Sequence, residues 1–188
     1  MRRAEIERET KETYVRVNLN IDGNGNFTGD FPIPYYKHLI STLCFYAGWN
    51  LNISAKGDIE VDFHHLVEDT GIVLGRAFLE AIKNSKFRRF SHKIIPMDEA
   101  LVMVAVDISG RSFLVFRDDN EILKGSLIKE FLRGFVNNAQ FTLHIWILSG
   151  ENIHHTEEAI FKALGLALKE AGAENKDDNS MSTKGRIW

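Results

Sequence analysis

The segment Asp62-Phe-His64-His65-Leu-Val-Glu68-Asp69 leads into the apolar stretch Ile72–Ile82, and Asn152-Ile-His154-His155-Thr-Glu-Glu158-Ala159 leads into Ile160–Leu168. Each segment reads His-His-x-x-Glu. Each opens a run whose apolar residues recur at three- and four-residue spacing, the period of a helix with one buried face. On such a helix the first His and the Glu stand four apart and share a face. The second His is rotated by about 100°, so within one chain it can hardly share an ion with its neighbour. Imidazole and carboxylate donors together suit manganese, iron or zinc. A lone His-His pair is usually a surface accident. Its recurrence at the same place relative to a second helix predicts two metal ions, each served by parts of both motifs.

The repeat extends well beyond these motifs. Glu12–Gly23 aligns with Glu99–Gly110 without a gap, Lys37–Ala47 with Lys129–Ala139, and Trp49–Ile53 with Phe141–Ile145. A turn two residues shorter then brings His154 onto His64. Each half reads strand, strand or turn, helix, strand, ligand motif, helix, an internal duplication of about 90 residues. The predicted fold class is α/β of the α+β kind: two duplicated half-domains, each a mostly antiparallel sheet packed on two helices, related by a pseudo-twofold axis. The halves are expected at 1–90 and 91–174 of a single unit, with 175–188 as a C-terminal tail contributing to the site.

The alignment also places His38 opposite Glu130, both capable of binding metal. Eight candidate ligands result: His38, His64, His65, Glu68, Glu130, His154, His155 and Glu158. Their division between two ions stays open. His144 falls opposite Asn52, a weak ligand at best, and is not among them.

The chain has 188 residues, 44% hydrophobic and 26% charged, as an ordinary soluble unit with a core would have. Net charge is −3 with no basic stripe, so neither nucleic acid nor an anionic membrane is expected as a partner. Cys44 is the one cysteine, which excludes an intrachain disulfide and fits a reducing cytoplasm. Met1-Arg-Arg is followed by Glu5, Glu7 and Glu9 rather than the apolar core of a signal peptide. The longest apolar run, Ala100–Val106, falls far short of the roughly 20 residues that span a bilayer. Near the end, Ser182-Thr-Lys184-Gly185 is small, hydroxylated and basic, as a phosphate contact would be. Arg88, Arg89 and Arg111 are further candidates for phosphate.

At this point the chain resembles the imidazoleglycerol-phosphate dehydratase family of histidine biosynthesis. The residues that carry the resemblance are Arg8-x-Thr10-x-Glu12-Thr13, the two His-His-x-x-Glu segments, Pro96-Met-Asp-Glu-Ala100, Ser109-Gly-Arg111, Thr142-Leu-His-Ile145 and Ser182-Thr-Lys-Gly185. The resemblance implies two fused, similar halves of the ribosomal protein S5 domain 2 type, and two manganese ions (Mn2+) per subunit. It also implies trimers that build a 24-subunit shell, with neighbouring subunits completing each site. Substrate contacts are implied at Glu12, Arg89, Arg111, Ser182 and Lys184. Glu12 falls on the acid/base position, and with His64 and Glu68 forms the expected catalytic group. Three departures stand out: Lys37 before His38 where the family has Asp, Tyr46 where it commonly has His, and Glu130 in place of His. The segment Arg117–Ser126 is also shorter than usual.

The chemistry implied is loss of water from imidazole glycerol phosphate to give imidazole acetol phosphate. Ions on the two ring nitrogens stabilise an imidazolate, which expels the adjacent hydroxyl to a diazafulvene-like species. A carboxylate such as Glu12 then moves a proton, giving an enol that tautomerises to the ketone. Two rivals use the same residues: a dinuclear phosphoesterase, which would release phosphate, and a metal-binding shell protein without turnover.

Overall fold

The computed structural model describes residues 1–175, 182–183 and 187. Buried Val15, Val17 and Leu19 alternate with exposed Arg16 and Asn18, which makes β2 (Thr13–Asn20) a strand with one face in the core. It pairs antiparallel with β1 (Arg3–Glu9) on one side and β4 (Asn50–Gly57) on the other. The short β3 (Phe27–Asp30) adds in parallel to β4. Helix α1 (Pro34–Ala47) begins on a proline, suited to a first turn that needs no N–H there. It ends at Gly48, whose φ of 70° only glycine adopts readily. Helix α2 (His64–Ile82) follows the first ligand motif.

The second half repeats the plan with β5 (Phe90–Met97), β6 (Ala100–Asp107), β7 (Phe113–Arg117), α3 (Ile128–Ala139), β8 (Thr142–Ser149) and α4 (Ile153–Ala171). The two sheets have the equivalent orders β1-β2-β4-β3 and β5-β6-β8-β7, each with one parallel edge. The expected pair of mostly antiparallel half-domains is therefore present. Among the described residues no helix is long and apolar enough to cross a membrane.

The helices do not keep to their own halves. α2 lies on β1 and β2, and α4 on β5 and β6, but α1 packs on α4 and α3 packs on α2. Each helix pair thus takes one member from each half. Glycines make the α2–α3 crossing possible: a Cβ on Gly71 would sit 2.2 Å from the Phe131 carbonyl oxygen, and one on Gly75 2.5 Å from that of Phe135. The side chains of Trp49, Phe78, Phe131, Phe135, Phe141 and Phe161 fill the space around this layer, all fully buried. The arrangement carries the N-termini of α1 and α4, and so His38 and His154, to one place.

The two solvent faces differ despite the shared plan. The first sheet turns Glu5, Glu7, Glu9, Arg16 and Asn18 outward. The second exposes Phe90, Ile94, Phe113, Trp146 and Leu148.

Candidate metal and active site

Both ligand motifs are placed by capping. The Asn152 side chain accepts from the backbone N–H of His154 and His155, and Asp62 Oδ1 accepts from His64 N–H at 2.7 Å. An acceptor just ahead of the first turn satisfies its free N–H groups. It also fixes the two histidines at the mouth of each helix.

His38 of α1, with His154 and Glu158 of α4, forms the best-defined cluster. His38 Nε2 lies 3.3 Å and His154 Nε2 3.2 Å from Glu158 Oε2. One ligand atom from each of the three can be chosen within 4.8 Å of the others, the one such group among the described residues. Lys162 holds the other oxygen, Oε1, at 2.9 Å, so Oε2 is left to face the imidazoles. Burial opposes the charge on Glu158, but Lys162 and His38 together outweigh it and hold the carboxyl below its ordinary range. Two imidazoles and an ionised carboxylate converging on one point suit a divalent cation of the manganese, iron or zinc class. The Tyr35 ring packs 5.4 Å from that of His154. Its hydroxyl donates to Glu157, which also accepts from Ser126 and is 2% exposed.

The pseudo-equivalent group is less complete. His64 Nε2 lies 3.8 Å from Glu68 Oε2 on α2, but the Glu130 carboxylate is turned to Arg133, at 2.6 Å. The structure thus places Glu130 on the predicted helix without gathering it to His64 and Glu68.

The second histidine of each motif is turned away from the first. The rings of His64 and His65, and of His154 and His155, stand at 87° to one another with centroids 6.0 and 6.3 Å apart. His65 Nδ1 meets Asp58 Oδ2 at 3.0 Å, with Glu12 3.8 Å away. His155 Nδ1 meets Glu99 Oε2 at 2.8 Å. These hydrogen bonds raise both histidines above their ordinary value. That from His155, with backbone N–H groups, takes Glu99 down to about 2. In both motifs Nε2 is the nitrogen left for a ligand.

Glu12 is set by a tight turn. Thr10 Oγ1 accepts from the N–H of Glu12 and of Thr13, and Thr13 Oγ1 donates to Asp69 of α2, which also pairs with Arg8 at 2.8 Å. The Arg8-x-Thr-x-Glu-Thr motif and the Asp after the first His-His-x-x-Glu are therefore one hydrogen-bonded unit.

The anion-binding candidates are scattered. Arg89, at a positive φ of 81°, makes a largely buried pair with Asp107 at 2.7 Å. Arg111 is exposed in the loop after β6. Ser182 is half-buried, and Lys184 lies outside the described residues. His144 sits on the outer face of β8 opposite Ala105, away from the cluster.

Sequence reasoning missed the carboxylates that orient the outward histidines, Asp58 and Glu99. Glu99 was open to discovery as the counterpart of Glu12. Asp58 has no histidine-orienting counterpart in the second half and gave no such signal. Neither did Glu157, whose buried role is hidden beside the more conspicuous Glu158.

A family model described as imidazoleglycerol-phosphate dehydratase matches residues 31–168. Among curated relatives, proteins of that name from Dictyoglomus thermophilum and Carboxydothermus hydrogenoformans are 76% and 48% identical, each alignment covering all of both chains. The crystal structure of the Pyrococcus furiosus protein is 39% identical with a TM-score of 0.83, covering 97% of this chain and 100% of that one. That of the Staphylococcus aureus protein is 36% identical with a TM-score of 0.79, covering 90% and 97%.

Proposed function

Since the chain belongs to the imidazoleglycerol-phosphate dehydratase family, we propose that the N-termini of its helices, with the turn that carries Glu12, form the place where the substrate loses water. The activity is that of a hydro-lyase in histidine biosynthesis, taking imidazole glycerol phosphate to imidazole acetol phosphate. The observation that carries the assignment of the site is the convergence of His38, His154 and Glu158 from opposite halves of the chain.

Two manganese ions per subunit fit the donors. One would be held by His38, His154 and Glu158, the other by His64, Glu68 and Glu130 once Arg133 lets that carboxylate go. The perpendicular rings of His65 and His155 support the view that each serves an ion held mainly by a neighbouring subunit. That reading accords with trimers that build a 24-subunit shell. Bound there, the ions supply positive charge that stabilises the deprotonated imidazole ring of the substrate.

The chain's own residues do the rest. Asp58 and Glu99 fix the tautomer of the outward histidines by taking Nδ1–H. Lys162 keeps Glu158 ionised and aimed. Glu12 moves the proton at the substrate carbon, on a turn anchored through Thr10, Thr13 and Asp69. Arg89, Arg111, Ser182 and Lys184 are assigned to the phosphate, with Arg89 exchanging Asp107 for it. A site in the cytoplasm accords with the single buried Cys44.

A turnover assay on imidazole glycerol phosphate, with manganese and with chelator, tests this reading. Metal-dependent ketone formed with phosphate retained is expected. Undiminished turnover after complete metal removal would sink the metal assignment, and release of inorganic phosphate would count for a phosphoesterase.

A further inference from the structure

The two halves hold their outward histidines by different means, and the difference falls on Glu12. In the second half His155 Nδ1 is taken by Glu99, which the repeat makes the counterpart of Glu12. Each glutamate immediately precedes the inner strand of its sheet, before Thr13 and Ala100. In the first half His65 Nδ1 is taken by Asp58 at 3.0 Å, and Glu12 stands off at 3.8 Å with its side chain 57% exposed. Asp58 lies in the turn that enters α2, which is two residues longer than the turn before α4. Following the strand registers, the place before α4 that answers to Asp58 is Glu151, which gives Glu99 its N–H and leaves His155 to Glu99.

The backbone puts Asp58 where it can intervene. Its N–H donates to the Glu12 carbonyl at 3.1 Å, directly beyond the Thr13–Gly57 pair of β2 and β4. Its own carbonyl accepts from Val61 N–H and closes the turn. The two carboxylates are thus adjacent, with Asp58 the nearer to His65. Its other oxygen, Oδ1, is buried without a hydrogen-bond partner among the described residues.

We infer that Asp58 is a positioning residue that takes over the orienting of His65 and so releases Glu12 for proton transfer. The inference rests on the reading of Glu12 as the proton carrier given above. Glu99 shows the alternative fate: bonded to His155 and to the N–H of Asn152, its oxygens are committed. A carboxylate so occupied is not free to reach a substrate carbon and take its proton. The duplication therefore assigned one job to two equivalent glutamates, and the longer turn freed one of them.

The test compares Asp58→Ala, Asp58→Asn, Glu99→Ala, Glu12→Gln and the double variant Asp58→Ala/Glu12→Gln in the assembled manganese enzyme. Turnover, KM, manganese content after desalting and the ¹⁵N shift of His65 Nδ1 are measured. In Asp58→Ala, Glu12 closes on His65: kcat falls roughly 10- to 100-fold while KM, manganese and the Nδ1–H tautomer are kept. Asp58→Asn still accepts from Nδ1–H, leaves Glu12 free and recovers most of the turnover. Glu99→Ala has no adjacent stand-in for Nδ1 and weakens manganese binding roughly 10- to 100-fold. The double variant turns over no more slowly than Glu12→Gln alone and keeps its manganese, because the amide oxygen introduced by Glu12→Gln can accept from Nδ1–H. Loss of manganese by Asp58→Ala alone, or wild-type kcat in Asp58→Ala while Glu12→Gln is inactive, overturns the inference. Wild-type turnover by Glu12→Gln instead removes the underlying assignment of Glu12.

Discussion

His38 Nε2 approaches Glu158 Oε2 to 3.3 Å although the two residues come from opposite halves of the duplicated chain. The contact exists because α1 and α4 pack together with their N-termini side by side. Glu130, which the repeat equates with His38, faces Arg133 instead. The two candidate ligand clusters are therefore unequal in their arrangement.

Metal counting should expose that inequality. Glu130→Ala is expected to lose one manganese per subunit, the more weakly held of the two, and His144→Ala to keep both, since His144 lies on the outer face of β8. Arg133→Met, which removes the competing guanidinium, should tighten the weaker site. The opposite pattern for Glu130 and His144 would defeat the use of the repeat to locate ligands.

If, as proposed above, each ion ties ligands of different subunits of a large assembly, chelation is expected to give smaller oligomers, most simply trimers, and manganese to restore the larger particle. Light scattering giving one unchanged mass in both conditions would contradict shared sites.

Acid should act in the same direction. Asp58, with Glu12 nearby, raises His65, and Glu99, with Asp98 nearby, raises His155. In the metal-free fold these pairs stabilise most below the ordinary histidine value of about 6.5, and that stabilisation is lost as pH rises through the raised values. Manganese needs the neutral ring, so its affinity should fall as pH drops through those same raised values, above the range for a free histidine. Titrations with manganese at stepped pH read this directly, and a flat affinity between about pH 8 and pH 6 would refute it.

The helix crossing gives a stability prediction. Gly71→Ala would drive a methyl into the Phe131 carbonyl and should cost about 3 kcal/mol or more. At Gly125, which unlike Gly71 has a positive φ, nothing lies within 4 Å, so Gly125→Ala should cost only about 1 kcal/mol of backbone strain. Denaturant unfolding of the metal-free variants compares them, and equal losses would mean that the crossing is not tightly packed.

Glu157→Ala leaves the hydroxyls of Tyr35 and Ser126 without their acceptor in a buried place and should destabilise by roughly 2–3 kcal/mol. Glu157→Gln, which keeps an acceptor, should cost less. If the two variants unfold at the same denaturant concentration, the hydroxyl network is not what Glu157 maintains.

Much of this was legible because a repeat carries its own control. The strands β2 and β4 alternate cleanly, and His38 could be nominated through its partner position. β1 was not legible: Glu5, Glu7 and Glu9 face solvent on an edge strand, where only Ala4 is fully buried and Ile6 partly so. The exchange of helices between halves was not legible either. It depends on close approach at Gly71, Gly75 and Gly165, and a glycine in a helix reads the same whether it faces a neighbour or a void. Asp58 escaped because a comparison between halves can find only what both halves possess.

The exchanged helices also bear on how such a chain could have arisen. A half-length ancestor, alone, would have left bare the helix surfaces that α1 and α3 now cover across the boundary. It would have been stable only as a pair of identical copies, with a fold that depended on concentration. Joining the copies end to end made their association independent of concentration and, for the first time, allowed each to change without the other. Separate 1–83 and 84–175 fragments should accordingly be unfolded alone and regain helical circular dichroism when mixed, and a fragment that folds as a monomer would contradict this descent.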